Sequence, residues 1–326
     1  MTLNPEVQNI IDAMAKAEAE GQPQAHQMSP KEARQFYLDT RGAVTPEPPQ
    51  VDLVADIYID GPVGLVPVRY YRPFGSSESE FLPVMIYIHG GGWVVGDRDT
   101  HDVVCRQFSN TGDFAIFSVD YRLAPEAKFP AAIDDCFAVL NWALKGAGGL
   151  KINPKQIGVS GVSAGGTIST VCAKLASDQN TPLVFQALIY PATDMHIKTQ
   201  SQKNFGEGYL LTTEAQNWYH AQYLSSELEK DDWRASPILI DDLSGMPSAY
   251  VATAGYDPLV DEGKAYAERL IEAGVPVTYK CYKGMIQGFI TMGKVINEAN
   301  FAIAEIAEYA KDAFGSLDVV STSISE

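Results

Sequence analysis

The feature that most constrains the fold is a regular alternation of short apolar runs with longer amphipathic segments between residues 51 and 282. Residues 83–88 (PVMIYI) are apolar almost throughout, which is typical of a strand buried on both faces. Alternating strands and helices predict an α/β fold, with a mostly parallel sheet covered by helices on both faces. Strands are predicted at 51–60, 66–71, 83–88, 114–119, 156–162, 184–190, 249–254 and 277–282, about eight in all, and helices most clearly at 131–145, 164–176 and 262–273.

Two segments depart from this alternation. The N-terminal segment predicts two amphipathic helices, one beginning after Asn4 and one after Ser29, whose capping box is completed by Glu32. Residues 42–50 are Pro-rich and predict a linker, and residues 195–245 form an aromatic-rich, partly helical insertion. We expect residues 1–50 and 196–245 to pack together as a lid or cap on a body formed by 51–195 and 246–326, a size that one α/β domain can fill.

Charge and cysteine content exclude several classes of protein. The 326 residues carry 24 Lys and Arg against 41 Asp and Glu, a net charge of −17, which disfavours binding to nucleic acid or anionic lipid. The four cysteines form no Cys-x-x-Cys pair, so neither a zinc site nor a disulfide framework is expected. Because the sequence shows no signal-peptide pattern and no apolar run of about 18 residues, we expect a cytoplasmic protein without a membrane span.

A candidate nucleophile stands between a predicted strand and a predicted helix. Gly161-x-Ser163-x-Gly165 follows the strand at 156–162 directly, and this is the context of a nucleophile elbow, in which a strained turn exposes the serine hydroxyl. Upstream, His89 is followed by Gly90, Gly91 and Gly92 and then by Trp93, directly after the buried strand 83–88. Glycines at the carboxyl end of a strand leave N–H groups free to bind a substrate oxygen, so the loop predicts an oxyanion hole completed by the N–H of Ala164.

These motifs carry a resemblance. Together the motifs resemble those of the hormone-sensitive lipase family of α/β-hydrolases, in matching order from about residue 51 to about residue 293. They are the HGGGW loop, DYRLAPE at 120–126, FPAA at 129–132, GVSAGG at 161–166, and DPL with DEG at 257–263. The resemblance implies an α/β-hydrolase fold with a helical cap and a serine esterase that acts on small, often short-acyl carboxylic esters. It implies no cofactor and no metal. By position, Ser163 is the nucleophile, Gly91, Gly92 and Ala164 supply the oxyanion N–H groups, and Asp257 is the triad acid.

The sequence departs from the family at the position of the triad histidine. The expected Gly-Met-x-His-Gly-Phe segment is GMIQGF here, so Gln287 stands where the base should be, 30 residues after Asp257. A glutamine amide cannot take up a proton near neutral pH, although it could donate to Asp257 and fill a similar volume. A second departure is Val162, where the family has Asp before the serine, and here we expect a less rigid elbow.

None of the five histidines has the spacing of a triad base. His89 resembles the family residue that organises the oxyanion loop, and His101 is expected to cap or orient the helix that follows it. His26, His196 and His220 are interpreted as ordinary surface or satisfied polar residues. Asp261 is assigned to a helix start, where acidic residues are favoured.

Three functional hypotheses remain open at this point. The first is a carboxylesterase impaired by the His-to-Gln change, which intact Ser163, Asp257 and glycine loop favour. The second is a non-catalytic protein that binds a small ligand on an esterase scaffold, resembling the plant gibberellin receptors, which also lack the triad histidine. The third is an esterase whose base is a water held by Gln287 and Asp257. Candidate pocket walls are Trp93, Phe205, Tyr209 and Leu211, and a homodimer would match the family's habit.

Overall fold

A computed structural model describes residues 2–181, 183–196 and 198–321, with side chains described as far as residue 316. Its centre is an eight-stranded sheet with the order β1-β2-β4-β3-β5-β6-β7-β8. Strands β1 and β2 run antiparallel to their neighbours, and β3 to β8 are parallel to one another. The strands are β1 Leu53–Gly61, β2 Gly64–Arg72, β3 Leu82–Ile88, β4 Ala115–Val119, β5 Ile152–Val162, β6 Phe185–Ile189, β7 Ser248–Tyr256 and β8 Val277–Ile286. The predicted α/β fold and all eight predicted strands are confirmed.

Helices cover both faces of the sheet because the central strands are apolar on both. In β3, Val84 and Ile86 contribute to one buried cluster and Met85 and Tyr87 to the other, as the two-residue period of a strand requires. Side chains of α4, α5 and α8 belong to the first cluster, and those of α3 and α9 to the second. The helices are α1 Pro5–Ala19, α2 Pro30–Val44, α3 Asp102–Gly112, α4 Ala131–Leu144, α5 Ala164–Asp178, α6 Gln200–Phe205, α7 Thr213–Tyr223, α8 Val260–Glu272 and α9 Asn297–Ser321.

The two N-terminal helices begin where the capping residues predict. The Asn4 side chain accepts a hydrogen bond from the N–H of Glu6, and Ser29 and Glu32 form the capping box of α2. The prediction of a linker over residues 42–50 is wrong at its start, because α2 continues to Val44. A single glycine at position 42 weakens a helix without ending it, and the first residue that cannot continue the helix is Pro46.

The insertion after β6 contacts the N-terminal segment. It contains α6, α7 and two short 3₁₀ turns, Glu227–Asp231 and Pro237–Leu239. The His26 Nε2 atom lies 3.2 Å from a carboxylate oxygen of Glu214 on α7, while Arg34 of α2 donates to the carbonyl oxygens of Val94 and Ala124 in the body. Both segments therefore lie over the same region of the sheet, and their assignment to one cap remains a prediction.

The described part of the chain contains no helix long and apolar enough to cross a membrane. Its four cysteines, Cys105, Cys136, Cys172 and Cys281, are free thiols. Within the same residues, no group of three or more His, Cys, Asp or Glu side chains has the geometry of a metal site.

Candidate active site

Ser163 occupies a strained turn between β5 and α5. Its backbone angles are φ 56° and ψ −117°, a conformation that a non-glycine residue adopts only when the surrounding structure enforces it. The Ser163 N–H donates to the carbonyl oxygen of Ile189 on β6, and the Ser163 carbonyl accepts from the N–H of Gly166. A Cβ atom at Gly165 would lie 2.1 Å from the carbonyl oxygen of Ile88, so glycine is required for α5 to approach β3. This geometry matches a nucleophile elbow.

Val162, directly before the serine, is buried and lines the cavity in front of it. The hydrogen bonds that hold the Ser163 backbone, to Ile189, Gly166, Thr167 and Ala192, are formed by backbone atoms and do not depend on the Val162 side chain. The reduced rigidity expected from Val162 stays a prediction.

The glycine loop after β3 faces the serine with unoccupied N–H groups. Gly91 has φ 119°, and a Cβ atom there would lie 2.0 Å from the carbonyl oxygen of Val95, so no other residue fits this turn. None of the hydrogen bonds among the described residues uses the N–H of Gly91, Gly92 or Ala164. Within the described chain these three backbone donors are therefore free, and their predicted role in binding a developing oxyanion stays a prediction.

His89 supports the glycine loop from below. Its buried ring stacks on Tyr121 at 4.2 Å between centroids, and its Nδ1 donates to the carbonyl oxygen of Gly90 at 2.8 Å. The Tyr121 hydroxyl donates to the His89 carbonyl oxygen. Burial lowers the pKa of His89, which keeps the ring neutral. These contacts fit the loop-organising role predicted for this residue.

Gln287 lies beside the nucleophile, in the place of a triad base. It follows the end of β8, and its Nε2 donates to Ser163 Oγ at 2.9 Å and to the Tyr190 carbonyl oxygen at 3.5 Å. A base must accept the hydroxyl proton, whereas this amide offers a proton to the hydroxyl oxygen. The opposite amide orientation would present Oε1, which is also not a base near neutral pH. The contact therefore holds the hydroxyl without activating it.

Asp257 is buried at the end of β7 with one oxygen bound and one unpaired. Leu259 N–H donates to Oδ1 at 2.9 Å, while Oδ2 has no partner among the described residues. Burial raises the pKa of Asp257 to about 8, against the opposing effect of the Leu259 bond. The possible donation from Gln287 to Asp257 does not occur, because Nε2 points to Ser163. Asp261 lies in the first turn of α8, as predicted, and also accepts from the N–H of Ser201.

Ser163 and Gln287 open into a cavity of about 1010 Å³, lined by the N-terminal helices, the insertion and the loops of the body. Three of the four predicted pocket walls, Trp93, Tyr209 and Leu211, line it. Phe205 does not, because its ring packs between Tyr209 and Tyr256, with centroids 5.7 Å and 5.5 Å away. The position of Phe205 at the end of α6 turns it toward the sheet.

Three histidines line this cavity, and none of them bonds to Ser163. The interpretation of His220 as a surface or satisfied residue is wrong: it is buried, its Nδ1 is unpaired among the described residues, and burial lowers its pKa to about 4. His101 is buried next to His89 and is the N-cap residue of α3, as predicted. Its backbone carbonyl accepts from the N–H of Cys105, while its side chain forms no capping hydrogen bond. His26 reaches Glu214, as noted above, and its Nδ1 is buried without a partner in the described chain. His196 lies between Asp194 and Asp231, fully paired.

Two residues at the site were missed by sequence reasoning. Tyr219 of α7 covers the oxyanion loop so closely that a Cβ atom at Gly92 would lie 2.3 Å from its ring. Arg41, near the end of α2, lines the cavity. Helical periodicity marks apolar positions and says little about a polar residue at the edge of the apolar stripe, so neither residue carried a signal of its own.

A strained serine, three backbone donors that are free among the described residues and a buried aspartate lie at the carboxyl ends of the parallel strands β5, β3 and β7, and they define a serine hydrolase of the α/β-hydrolase class. The profile of the alpha/beta hydrolase fold family matches residues 85–291. The chain belongs to this family, in its hormone-sensitive lipase branch of serine esterases, as the sequence motifs indicated.

The relatives are named as ester hydrolases. The carboxylic ester hydrolase LipN of Mycobacterium tuberculosis is 42% identical over 256 residues, which cover 75% of this chain and 66% of LipN. The ethyl acetate hydrolase of Pseudomonas putida is 31% identical over 94% of this chain and 98% of its own length. A crystal structure of an alpha/beta hydrolase enzyme from the metagenome of Lake Arreo, Spain, superposes with a TM-score of 0.93 at 38% identity, covering 96% and 99% of the two chains.

Proposed function

We propose that this protein is a carboxylic ester hydrolase that acts through Ser163 and an acyl-enzyme intermediate, with catalysis impaired because Gln287 occupies the position of the base. The observation that carries the proposal is the free oxyanion loop facing a strained serine whose only side-chain partner among the described residues is Gln287, at 2.9 Å. The names of these two relatives, both ester hydrolases, support the reaction class.

Each residue has a role in the proposed reaction. The Ser163 hydroxyl attacks the ester carbonyl carbon, and the N–H groups of Gly91, Gly92 and Ala164 stabilise the oxyanion that forms. The bond from this carbon to the alcohol oxygen then breaks, and the alcohol leaves with a proton, while solvent water takes up the serine proton. Water hydrolyses the acyl-serine ester, which releases the carboxylic acid and restores the Ser163 hydroxyl. Asp257 would hold a histidine at position 287 in the correct orientation. Because Gln287 cannot take the serine proton, attack depends on the unassisted hydroxyl, which leaves the oxyanion hole and substrate binding as the remaining sources of rate enhancement.

Hydrolysis of p-nitrophenyl acetate by the chain and by its Gln287→His variant tests this proposal. We expect the variant to gain at least about 10³-fold in kcat/KM, since losing the base of such a triad costs up to roughly 10⁶. Gln287→Asn serves as the matched control, because it changes the side chain without supplying a base. A folded Gln287→His variant that stays as inactive as this control would contradict the proposal.

The second candidate is a protein that binds a small ligand without hydrolysing it. It is favoured by the hydrogen bond from the Gln287 side-chain amide to Ser163 Oγ, since this amide occupies the position of the base. It is also favoured by a cavity large enough for a drug-sized molecule. The same assay separates the two, because a binding protein that has lost its catalytic geometry gains nothing from a restored histidine. Short-acyl esters remain the proposed substrates, and the cytoplasmic location and homodimer predicted from the sequence remain predictions.

A further inference from the structure

Arg41 is an unusual residue for the wall of a mostly apolar cavity. Within the described part of the chain it is the one Lys or Arg that lines the cavity. It also has no carboxylate partner, since none of the ion pairs in this part includes it. A half-buried guanidinium without a counter-ion is costly unless something compensates its charge.

The protein holds the Arg41 guanidinium in place by uncharged groups. Its Cζ lies 4.3 Å from the centroid of the Tyr37 ring, and its Nη1 donates to Thr291 Oγ1 at 3.2 Å. The residue lies in the last turn of α2, where the helix dipole favours a positive charge. The Nε atom is buried and has no partner among the described residues. One face of the guanidinium is therefore covered, while its N–H edge keeps unused donors of the kind that bind a carboxylate.

The acidic residues that line the cavity do not compete for this edge. Glu6 accepts from Asn297, Glu18 accepts from Gln24, and Asp194 binds His196. Each of these carboxylates is thus held by another group. The full sequence has a net charge of −17, yet among the described residues the wall of the cavity holds one Arg without a carboxylate partner, Arg41.

Arg41 lies on the side of the cavity that holds the catalytic loop. Its partner Thr291 closes the 3₁₀ turn Phe289–Thr291, which follows Gln287 by two residues. Arg41, Ser163 and Gln287 all line the same cavity. Burial is the main cause that raises the pKa of Tyr190 and of Tyr219, and the positive charge of Arg41 acts in the opposite direction at both, which agrees with its place near these two residues of the cavity.

We propose that the cavity binds esters that carry a carboxylate, with the ester group at Ser163 and the carboxylate on the edge of Arg41. The ligand class is a half-ester of a dicarboxylic acid, or an ester of similar length with one acidic end. The apolar residues that line the cavity, which include Leu211 and Met292, would contact the connecting hydrocarbon chain. This inference rests on the proposed function in taking the ligand to be an ester.

Binding by the unaltered chain tests the proposal without relying on turnover, because Gln287 leaves hydrolysis slow. Dissociation constants are measured by calorimetry for monoethyl adipate, suberate and sebacate, each against its neutral counterpart, ethyl hexanoate, octanoate and decanoate. We expect at least one acidic ester to bind about tenfold or more tightly than its counterpart, as a charge-assisted pair provides. Arg41→Gln should abolish this preference, and Arg41→Lys should retain part of it.

Lys264 provides the matched charge control. It lies on α8, is largely exposed and is paired with Glu268 outside the cavity, so Lys264→Gln removes one positive charge and should leave the preference unchanged. Circular dichroism and the Tm establish that each variant is folded. If Arg41→Gln does not fold, Arg41→Lys and a titration with KCl test the role of Arg41 instead. Added KCl should weaken binding of the acidic ester and leave binding of the neutral ester unchanged.

The outcomes separate this proposal from the proposed function. Equal binding of acidic and neutral esters, or a preference that survives Arg41→Gln, overturns the role of Arg41 even when Gln287→His hydrolyses neutral esters. An acidic preference that depends on Arg41, combined with an inactive Gln287→His variant, supports the carboxylate site and contradicts the hydrolase. A preference that also disappears in Lys264→Gln would reduce the effect to net charge and overturn the site.

Discussion

The active site has two halves of different construction. The serine half, formed by Gly91, Gly92, Ser163 and Ala164, relies on backbone N–H groups and on turns that the sheet enforces. The acid half, formed by Asp257 and Gln287, relies on the identity of two side chains at the ends of β7 and β8. The serine half is complete, whereas the acid half leaves two buried acceptors unpaired among the described residues, Asp257 Oδ2 and Gln287 Oε1. Backbone machinery survives as long as the fold does, while side-chain machinery is lost with one substitution.

The largest effect is expected in the rate at which a fluorophosphonate labels Ser163, which tests whether the acid half is the defective one. We expect labelling of the unaltered chain to be slower than labelling of Gln287→His by at least about 10³-fold, because the reagent requires an activated nucleophile. Mass spectrometry of the labelled peptide measures the rate, with Ser163→Ala as the blank. Equal rates in the two chains would mean that the acid half is not the defective part.

A substitution in the serine half should still lower kcat after Gln287→His has restored a base in the acid half. In the Gln287→His background, Gly91→Ala should lower kcat by about 10²- to 10³-fold, because the φ of 119° and the contact with Val95 cannot accept a Cβ atom without moving the loop. Gly75→Ala is the control, since Gly75 also has a positive φ but nothing within 4 Å of its Cβ position. Similar losses of kcat in both variants would show that the effect is one of stability.

The unpaired carboxyl of the acid half should appear in the pH dependence of stability. Burial raises the pKa of Asp257 to about 8 in the folded chain, while an unfolded aspartate titrates near ~4. Between these values the folded state keeps a proton that the unfolded state has lost, so its contribution is present at acidic pH and declines as pH rises toward 8. Relative to Asp257→Asn, the free energy of unfolding should fall by about 1.4 kcal/mol per pH unit over that window.

Urea denaturation at pH 5, 6 and 7 measures this slope for the two chains. Parallel curves would show that Asp257 is ionised in the folded protein, in which case a cation or donor must neutralise it. Asp261→Asn is the control variant, because it also replaces a carboxylate by an amide. Asp261 accepts a hydrogen bond from the Ser201 N–H and belongs to neither the serine half nor the acid half.

The smallest expected effect concerns the aromatic side chains near the cavity. In the Gln287→His background, Tyr209→Leu should change KM for p-nitrophenyl hexanoate a few-fold, because Tyr209 lines the cavity. Phe205→Leu should leave KM unchanged, because its ring packs against Tyr209 and Tyr256 outside the lining. The two substitutions remove similar volumes, so equal shifts in KM would mean that Phe205 acts on the cavity through its neighbour.

The sequence predicts the strands and the two turns of the serine half well for a physical reason, while the catalytic roles of these residues stay predictions. Buried parallel strands need long apolar runs, and tight turns need glycine, so residues 83–88 and the loop around Gly91 can be recognised without a structure. The absence of a base is equally visible, because a single residue type is required at position 287. The prediction that the linker begins at residue 42 is wrong, because α2 continues to Val44. Gly42 only weakens the helix, whereas Pro46 cannot continue it.

The cavity wall is harder to predict because it depends on long-range packing. Tyr219 reaches Gly92 from α7, and Arg41 reaches Thr291, 250 residues away in the sequence. Phe205 and Tyr209 lie four residues apart with similar rings, yet only Tyr209 faces the cavity. Which side of a segment faces a cavity follows from the docking of α2 and α7 on the body, and a local pattern does not contain that information.

The single contact between Gln287 and Ser163 has a genetic consequence. Codons for glutamine and histidine differ in the third base alone, so one nucleotide change would place an imidazole beside a serine that the fold already strains and an oxyanion loop that is already free. Under the proposed function, full catalytic activity is therefore one mutational step away. For a population of genes that encode this scaffold, selection for ester hydrolysis would have a short path, with no new loop, cavity or nucleophile to evolve.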